Sequence, residues 1–140
     1  MIRDLVALIL TVGVVCGSDT LSRTITRSEA RRLVHEALVA LNQDAPSVKI
    51  EQYRYDYAPE FYAFDATWPN PDGDPLIGYF AVNPWTGDVW DINACKQITS
   101  PVLARQQEAI WKRSKLMREA ESTLHAKSPA CSSIDTKPRK

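Results

Sequence analysis

Hydrophobic residues recur along this chain with three different rhythms, and each predicts a different element. Residues 5–15 form an apolar run of 11, preceded only by Arg3 and Asp4 as charged residues. Such a run is too short to cross a bilayer, which takes about 20 residues, but it suits the core of a secretory signal. Val15 and Gly17 are small enough for the −3 and −1 positions, so cleavage is expected before Ser18, and residues 1–17 are read as a signal peptide. Cys16 invites a lipoprotein reading, but Val15 stands where a lipobox needs a small residue. The competing expectation is a short N-terminal helix buried in a core.

Residues 18–25 read as a flexible lead. Thr26, Arg27, Ser28 and Glu29 then match a capping box, in which a hydroxyl and a carboxylate satisfy amides left unpaired at a helix start. Ile25 stands as the staple residue ahead of it. Ala30, Leu33, Val34, Ala37, Leu38 and Leu41 follow at helical spacing, while Arg31, Arg32 and Glu36 face the other way. The helix is expected to stop near residues 42–44, because Ala45 precedes Pro46 and avoids the helical region.

The rhythm then changes to alternation. Over residues 48–57, Lys49, Glu51, Tyr53, Tyr55 and Tyr57 share one face, with Val48 and Ile50 beginning the other. Residues 60–68 put Tyr62, Phe64, Ala66 and Trp68 on one side and Phe61 and Ala63 on the other, as strands do. Residues 69–75 hold three prolines and a glycine and must be a loop. Residues 76–83 and 89–92 are a third and a fourth strand. Pro84, Trp85, Thr86, Gly87 and Asp88 join them as a hairpin in which Gly87 supplies a positive φ. A helix followed by an antiparallel meander is an α+β fold, assigned here to residues 26–95.

Helical spacing returns at the end. Ser100 and Pro101 read as an N-cap and first helical position, opening a long C-terminal helix over residues 100–127. Leu103, Ile110, Met117 and Leu124 recur every seven residues, with Val102, Ala109 and Leu116 beside them. The helix is expected to pack along its own domain; the alternative is a homodimer paired through this stripe. Residues 128–140 read as a loose tail.

Composition narrows the picture. A chain of 140 residues suits one domain, and 44% hydrophobic content argues against wholesale disorder. Seventeen basic and 17 acidic side chains leave no net charge, against a nucleic-acid binder or a polybasic membrane binder. Removing Cys16 with the signal leaves no stable membrane span and only Cys95 and Cys131. In an oxidising compartment that pair is expected to form a disulfide, fastening the C-terminal helix to the end of the sheet.

Catalytic chemistry finds little support. His35 and His125 are far apart with no second ligand at i+4, and the run Asn70, Pro71, Asp72, Gly73, Asp74 fails the calcium-loop template, so no metal or cofactor is expected. Asp56, Glu60, Asp65 and Asp88 could be paired for hydrolysis, but strand and turn carboxylates are usually solvated. Nucleophile elbow, phosphate loop and dinucleotide fingerprint are all missing from the sequence. Aromatics say more. Tyr53, Tyr55, Tyr57, Tyr62, Trp68, Tyr79, Trp85 and Trp90 fall within 38 residues, more than one helix-covered face can bury. The surplus is expected beneath the C-terminal helix, or else forms an exposed binding patch. Trp85 projects from a hairpin tip, so Trp85, Thr86 and Asp88, with Tyr79 on the preceding strand, are the candidate partner contacts.

Ile25-Thr26-x-x-Glu29-Ala30, then Tyr62-Ala63-Phe64-Asp65-Ala66, then the run from Gly78 to Val89 with its Val82-Asn83 strand end and Thr86-Gly87-x-Val89 hairpin, resemble the PepSY domain family. The resemblance covers residues 25–92, about half the chain. It implies a small extracytoplasmic α+β module, of the kind found in propeptides of thermolysin-like metalloproteases and in envelope proteins, where protease inhibition or binding is proposed. The family offers no catalytic residues to carry over. The long 69–75 loop and the C-terminal helix depart from it. The resulting expectation is a secreted or periplasmic, non-enzymatic binding protein. Its partner would be another envelope protein or a protease, engaged by an edge strand or the hairpin through backbone hydrogen bonds. The alternatives are an assembly protein dimerising through the C-terminal stripe and, more weakly, a small hydrolase.

Overall fold

A computed structural model describes residues 22–69, 72–73, 75–114, 123–125, 127–129 and 131. The expected signal, Asn70 and Asp74 of the acidic loop, Met117 of the heptad stripe and most of the expected tail lie outside these residues.

Helix α1, Arg27–Ala40, starts where the capping box places it. The Glu29 amide donates to Thr26 Oγ1 at 3.2 Å, and the Thr26 amide donates to Glu29 Oε2 at 2.8 Å. The helix ends at Leu41, with Asn42 in the left-handed region at φ 56°. Asparagine is among the few side chains that tolerate that conformation. Its stripe of Ala30, Leu33, Val34, Ala37 and Leu38 is buried, each large side chain removing enough apolar surface for about 1.5–3 kcal/mol.

Five strands follow: β1 Lys49–Tyr53, β2 Tyr62–Thr67, β3 Leu76–Val82, β4 Val89–Asp91 and β5 Lys96–Ile98. They pair antiparallel in strict chain order. The register aligns Ile50 with Ala66, Phe64 with Phe80, Val82 with Val89 and Val89 with Ile98, so these residues share one face. That face and the α1 stripe make the main core. Two boundaries differ from the alternation pattern. The first strand stops at Tyr53 because the chain turns back at 54–61 and lays Ala58 and Phe61 against Ala81 on the opposite face. The short fifth strand pairs Ile98 beside Val89, a long-range pairing that three residues of mixed polarity do not announce.

Helix α2, Pro101–Ser114, opens with the Leu103 amide donating to Ser100 Oγ at 3.1 Å. Residues 115–122 lie outside the described residues, and residues 123–125 are again helical. Leu103 and Ile110 enter the same core as α1, so both helices sit on one face of the sheet. Arg113 reaches across to Glu29 at 2.7 Å. This corrects the expectation that the second helix would cover the surplus aromatics. Three residues of the stripe proposed for a homodimer, Leu103, Ile110 and Leu124, are buried within the molecule.

Cys95 and Cys131 are joined in a disulfide, with Cα atoms 5.4 Å apart. The bridge fixes residue 131 to the turn that leads into β5. Among the described residues no helix is long and apolar enough to cross a membrane.

Candidate functional site

Two regions bear on function: the β3–β4 hairpin that holds most of the nominated residues, and the sheet face that neither helix covers.

The hairpin is closed by the Asn83 amide donating to the Asp88 carbonyl and the Gly87 amide donating to the Asn83 carbonyl, both at 2.9 Å. Gly87 takes φ 77°, which glycine adopts without penalty. A Cβ there would also lie 2.8 Å from Ile110 Cδ1 and 3.1 Å from Leu33 Cδ1, so the turn is pressed against both helices. Asn83 organises the tip, its Oδ1 accepting from the Trp85 amide at 3.0 Å and the Thr86 amide at 3.3 Å.

This tip does not project into solvent. Trp85 is 8% exposed, Thr86 1% and Asp88 2%. Three segments converge on it. From the N-terminal side, the Thr24 and Ile25 amides donate to the Pro84 carbonyl at 2.9 and 3.1 Å. From α2, Gln107 Nε2 donates to the Gly87 carbonyl at 3.2 Å. From the C-terminal side, Asn83 Nδ2 donates to the Leu124 carbonyl at 2.8 Å, His125 Nδ1 meets Asp88 Oδ2 at 2.7 Å, and Lys127 Nζ lies 4.6 Å from the centre of the Trp85 ring. The expectation of a free hairpin tip fails because these contacts come from residues far away in sequence.

A threonine, an aspartate and a histidine together suggest nucleophilic catalysis. The geometry does not provide it. Thr86 Oγ1 donates to Asp88 Oδ2 at 2.7 Å, and His125 meets that same oxygen. A nucleophile–base pair needs the hydroxyl on the imidazole, and here both groups turn to the carboxylate. The trio therefore pins the C-terminal segment to the hairpin. Among the described residues, no group of three or more His, Cys, Asp or Glu could hold a metal ion.

The second face carries the surplus aromatics. Register sets Glu51 opposite Asp65 and Asp65 opposite Tyr79, and the neighbouring row runs Tyr53, Ala63, Ala81, Trp90. Tyr53 and Tyr79 rings lie 5.1 Å apart, and Tyr53, Tyr55 and Tyr57 continue as a chain of tilted rings at 6.2 and 5.6 Å. These are favourable offset or edge contacts between aromatic rings. The 54–61 turn covers one end, where Trp90 and Ile92 pack against Ala58, Phe61 and Ala81. Trp90 Nε1 is buried there without a hydrogen-bond partner. Over the rest, Tyr53, Tyr79 and Asp65 are half-buried, Glu51 is exposed, and Tyr57 keeps 79% of its surface in solvent.

Electrostatics mark the same place. Burial pushes the Tyr53 phenol up to about 12, and the nearby Tyr55, Tyr79 and Asp65 add to the rise. Burial, with Tyr57 beside it, raises Tyr55 as well. Of the four nominated contacts, only Tyr79 lies on this face; the other three are gathered at the hairpin. Tyr53 and Glu51, whose shared face is readable from the alternation of residues 48–57, are not among the expected contacts, and Asp65 is a candidate only among the carboxylates for hydrolysis.

No family model matches the chain, and no curated protein matches it. A chain in the solved structure of a type VI secretion system effector–immunity complex from Pseudomonas protegens is similar, with a TM-score of 0.62 and 24% identity. The match covers 77% of this chain and 91% of that one. What this protein shares with a component of that complex is the fold.

Proposed function

We propose that this chain is an exported, non-enzymatic binding protein that holds a partner protein against the tyrosine-bearing face of its sheet, as an immunity protein holds its effector. The carrying observation is the sheet face left uncovered by both helices, with Tyr53, Tyr55 and Tyr79 half-buried and in ring contact. Tyrosines of this kind supply large, rigid contact area at low entropic cost and are enriched where proteins meet. The likeness to a chain of an effector–immunity complex supports the reading. So does the disulfide, which belongs to an oxidising compartment such as the periplasm and accords with residues 1–17 acting as an export signal.

The test is native co-purification from the envelope of the producing cell. Wild type should retain one partner in stoichiometric amount. A Tyr53→Ala/Tyr79→Ala variant, checked for an intact fold by circular dichroism, should lose it. Equal recovery by both proteins overturns the assignment of this face.

A second reading is protease inhibition in the manner of PepSY propeptides, favoured by the helix-then-meander order and the Thr86-Gly87-Asp88-Val89 hairpin. It predicts that the partner is a protease whose activity falls on adding this protein. The edge strand β1, with no neighbour on its outer side among the described strands, could then accept a segment of the enzyme.

A further inference from the structure

We infer that the open sheet face is built for an arginine-bearing segment of the partner protein; this rests on the reading above and specifies its chemistry. Glu51 and Asp65 are paired directly across β1 and β2, on the same face as Tyr53 and Tyr79. Like charges in that position repel and destabilise a sheet. Neither carboxylate has an ion-pair partner among the described residues, whereas Glu29, Asp56 and Glu108 all do. The repulsion is a standing cost in the free protein.

A cation placed between the two carboxylates would remove that cost. Lys49 is the basic residue of β1, but it lies opposite Thr67 at the strand's far end, and Arg54 is committed to Asp56. The exposed Arg27, Arg31 and Arg32 belong to α1, which packs against the opposite face; Arg27 and Arg31 line a surface cavity at the β1 edge with Glu51 but form no ion pair with it. The tyrosine face of β1 and β2 thus carries two carboxylates, Glu51 and Asp65, against the single ammonium of Lys49.

The rings decide which cation fits best. Tyr79 lies directly across from Asp65, Tyr53 is two residues along β1 from Glu51 on the same face, and the two rings are 5.1 Å apart. A guanidinium is planar, stacks on such rings and meets carboxylates with two parallel hydrogen bonds, while an ammonium offers a compact, strongly hydrated point charge. Two carboxylates with flanking tyrosines therefore favour arginine over lysine.

The probe is a short peptide of alternating arginine and glycine, compared with its lysine counterpart and a neutral serine counterpart, followed by aromatic NMR on the full mature chain. The arginine peptide should shift the Tyr53 and Tyr79 ring resonances saturably, and bind about tenfold more tightly than the lysine peptide. A Glu51→Gln/Asp65→Asn variant should lose this binding while gaining thermal stability, since the like-charge pair is gone; lost binding then cannot be blamed on unfolding. Equal binding of the two cationic peptides, undiminished binding to the variant, or shifts scattered over other acidic sites overturns the inference. Retention of the natural partner by Glu51→Gln/Asp65→Asn, with its loss from Tyr53→Ala/Tyr79→Ala, overturns the arginine assignment and leaves the docking face standing. Retention by both variants overturns the face itself.

Discussion

Gly87 shows how much one position can be asked to do. Its positive φ and the 2.8 Å at which an added Cβ would meet Ile110 Cδ1 are independent demands, and an alanine would be strained by both. Gly87→Ala should therefore cost about 2–4 kcal/mol, the sum of a left-handed backbone penalty and overpacking, read as a lowered urea midpoint. Trp85 shifts category for a related reason. Buried beneath Lys127 and held by Asn83, it should cost about 3 kcal/mol of stability when replaced by alanine. A Trp85→Ala protein with unchanged melting would return the residue to the surface. Tyr53 offers a signature in pH. Its phenol titrates near 12 in the folded state against an ordinary value of 10.0, so the stability tied to its neutral form is complete below pH 10 and is lost as pH climbs through 12. Ultraviolet titration of phenolate should show one tyrosine ionising late, and Tyr53→Phe should abolish that last step.

At the level of elements, legibility followed locality. The α1 start was readable because the capping box and its apolar stripe lie within 16 contiguous residues, Thr26 to Leu41. Glu29 then does a second job invisible from sequence, pairing with Arg113 of α2. The Thr26 amide chiefly, with Arg113 and the Thr26 hydroxyl, holds its carboxyl below the ordinary value of 4.5 against the opposing effect of burial. The stabilisation it gives is present above pH 4.5 and disappears as pH falls through the lowered value; Glu29→Gln should flatten that acid limb of the stability curve. Alternation sorted Tyr53 from Ile50 and Tyr79 from Phe80, but a period of two names the faces without saying which one a helix will cover. Placement of α2 beside α1 depends on Leu103 and Ile110 joining the core that holds Leu33 and Val89, residues far away in sequence. The cover of the hairpin escapes the local pattern for the same reason, since it comes from residues 24, 25, 107, 124, 125 and 127.

For the whole molecule, the disulfide and the hairpin contacts act as one fastening. Cys95 lies 36 residues from Cys131, and loop-closure entropy over that span corresponds to about 3–4 kcal/mol. Cys95→Ser/Cys131→Ser should lose roughly this much in denaturant melts and should increase proteolytic cutting near residues 123–131. Ile110→Glu is expected to unfold or strongly destabilise the monomer, because the side chain it replaces is 7% exposed and seated against Gly87. A folded monomer obtained from a dimer by that change would instead restore the assembly reading.

The uninterrupted strand order also has a meaning in time. Every strand from β2 to β5 pairs with the one synthesised immediately before it, so a chain emerging N-terminus first, from a ribosome or a translocase, can add strands as they appear. Short-range pairing of this kind closes small loops and keeps folding fast. What has to wait is the C-terminal segment, whose partners Asn83, Asp88 and Cys95 are laid down well before it arrives. Oxidation thus comes last, acting on a sheet already assembled: the covalent bond seals a fold that the order of synthesis has largely built.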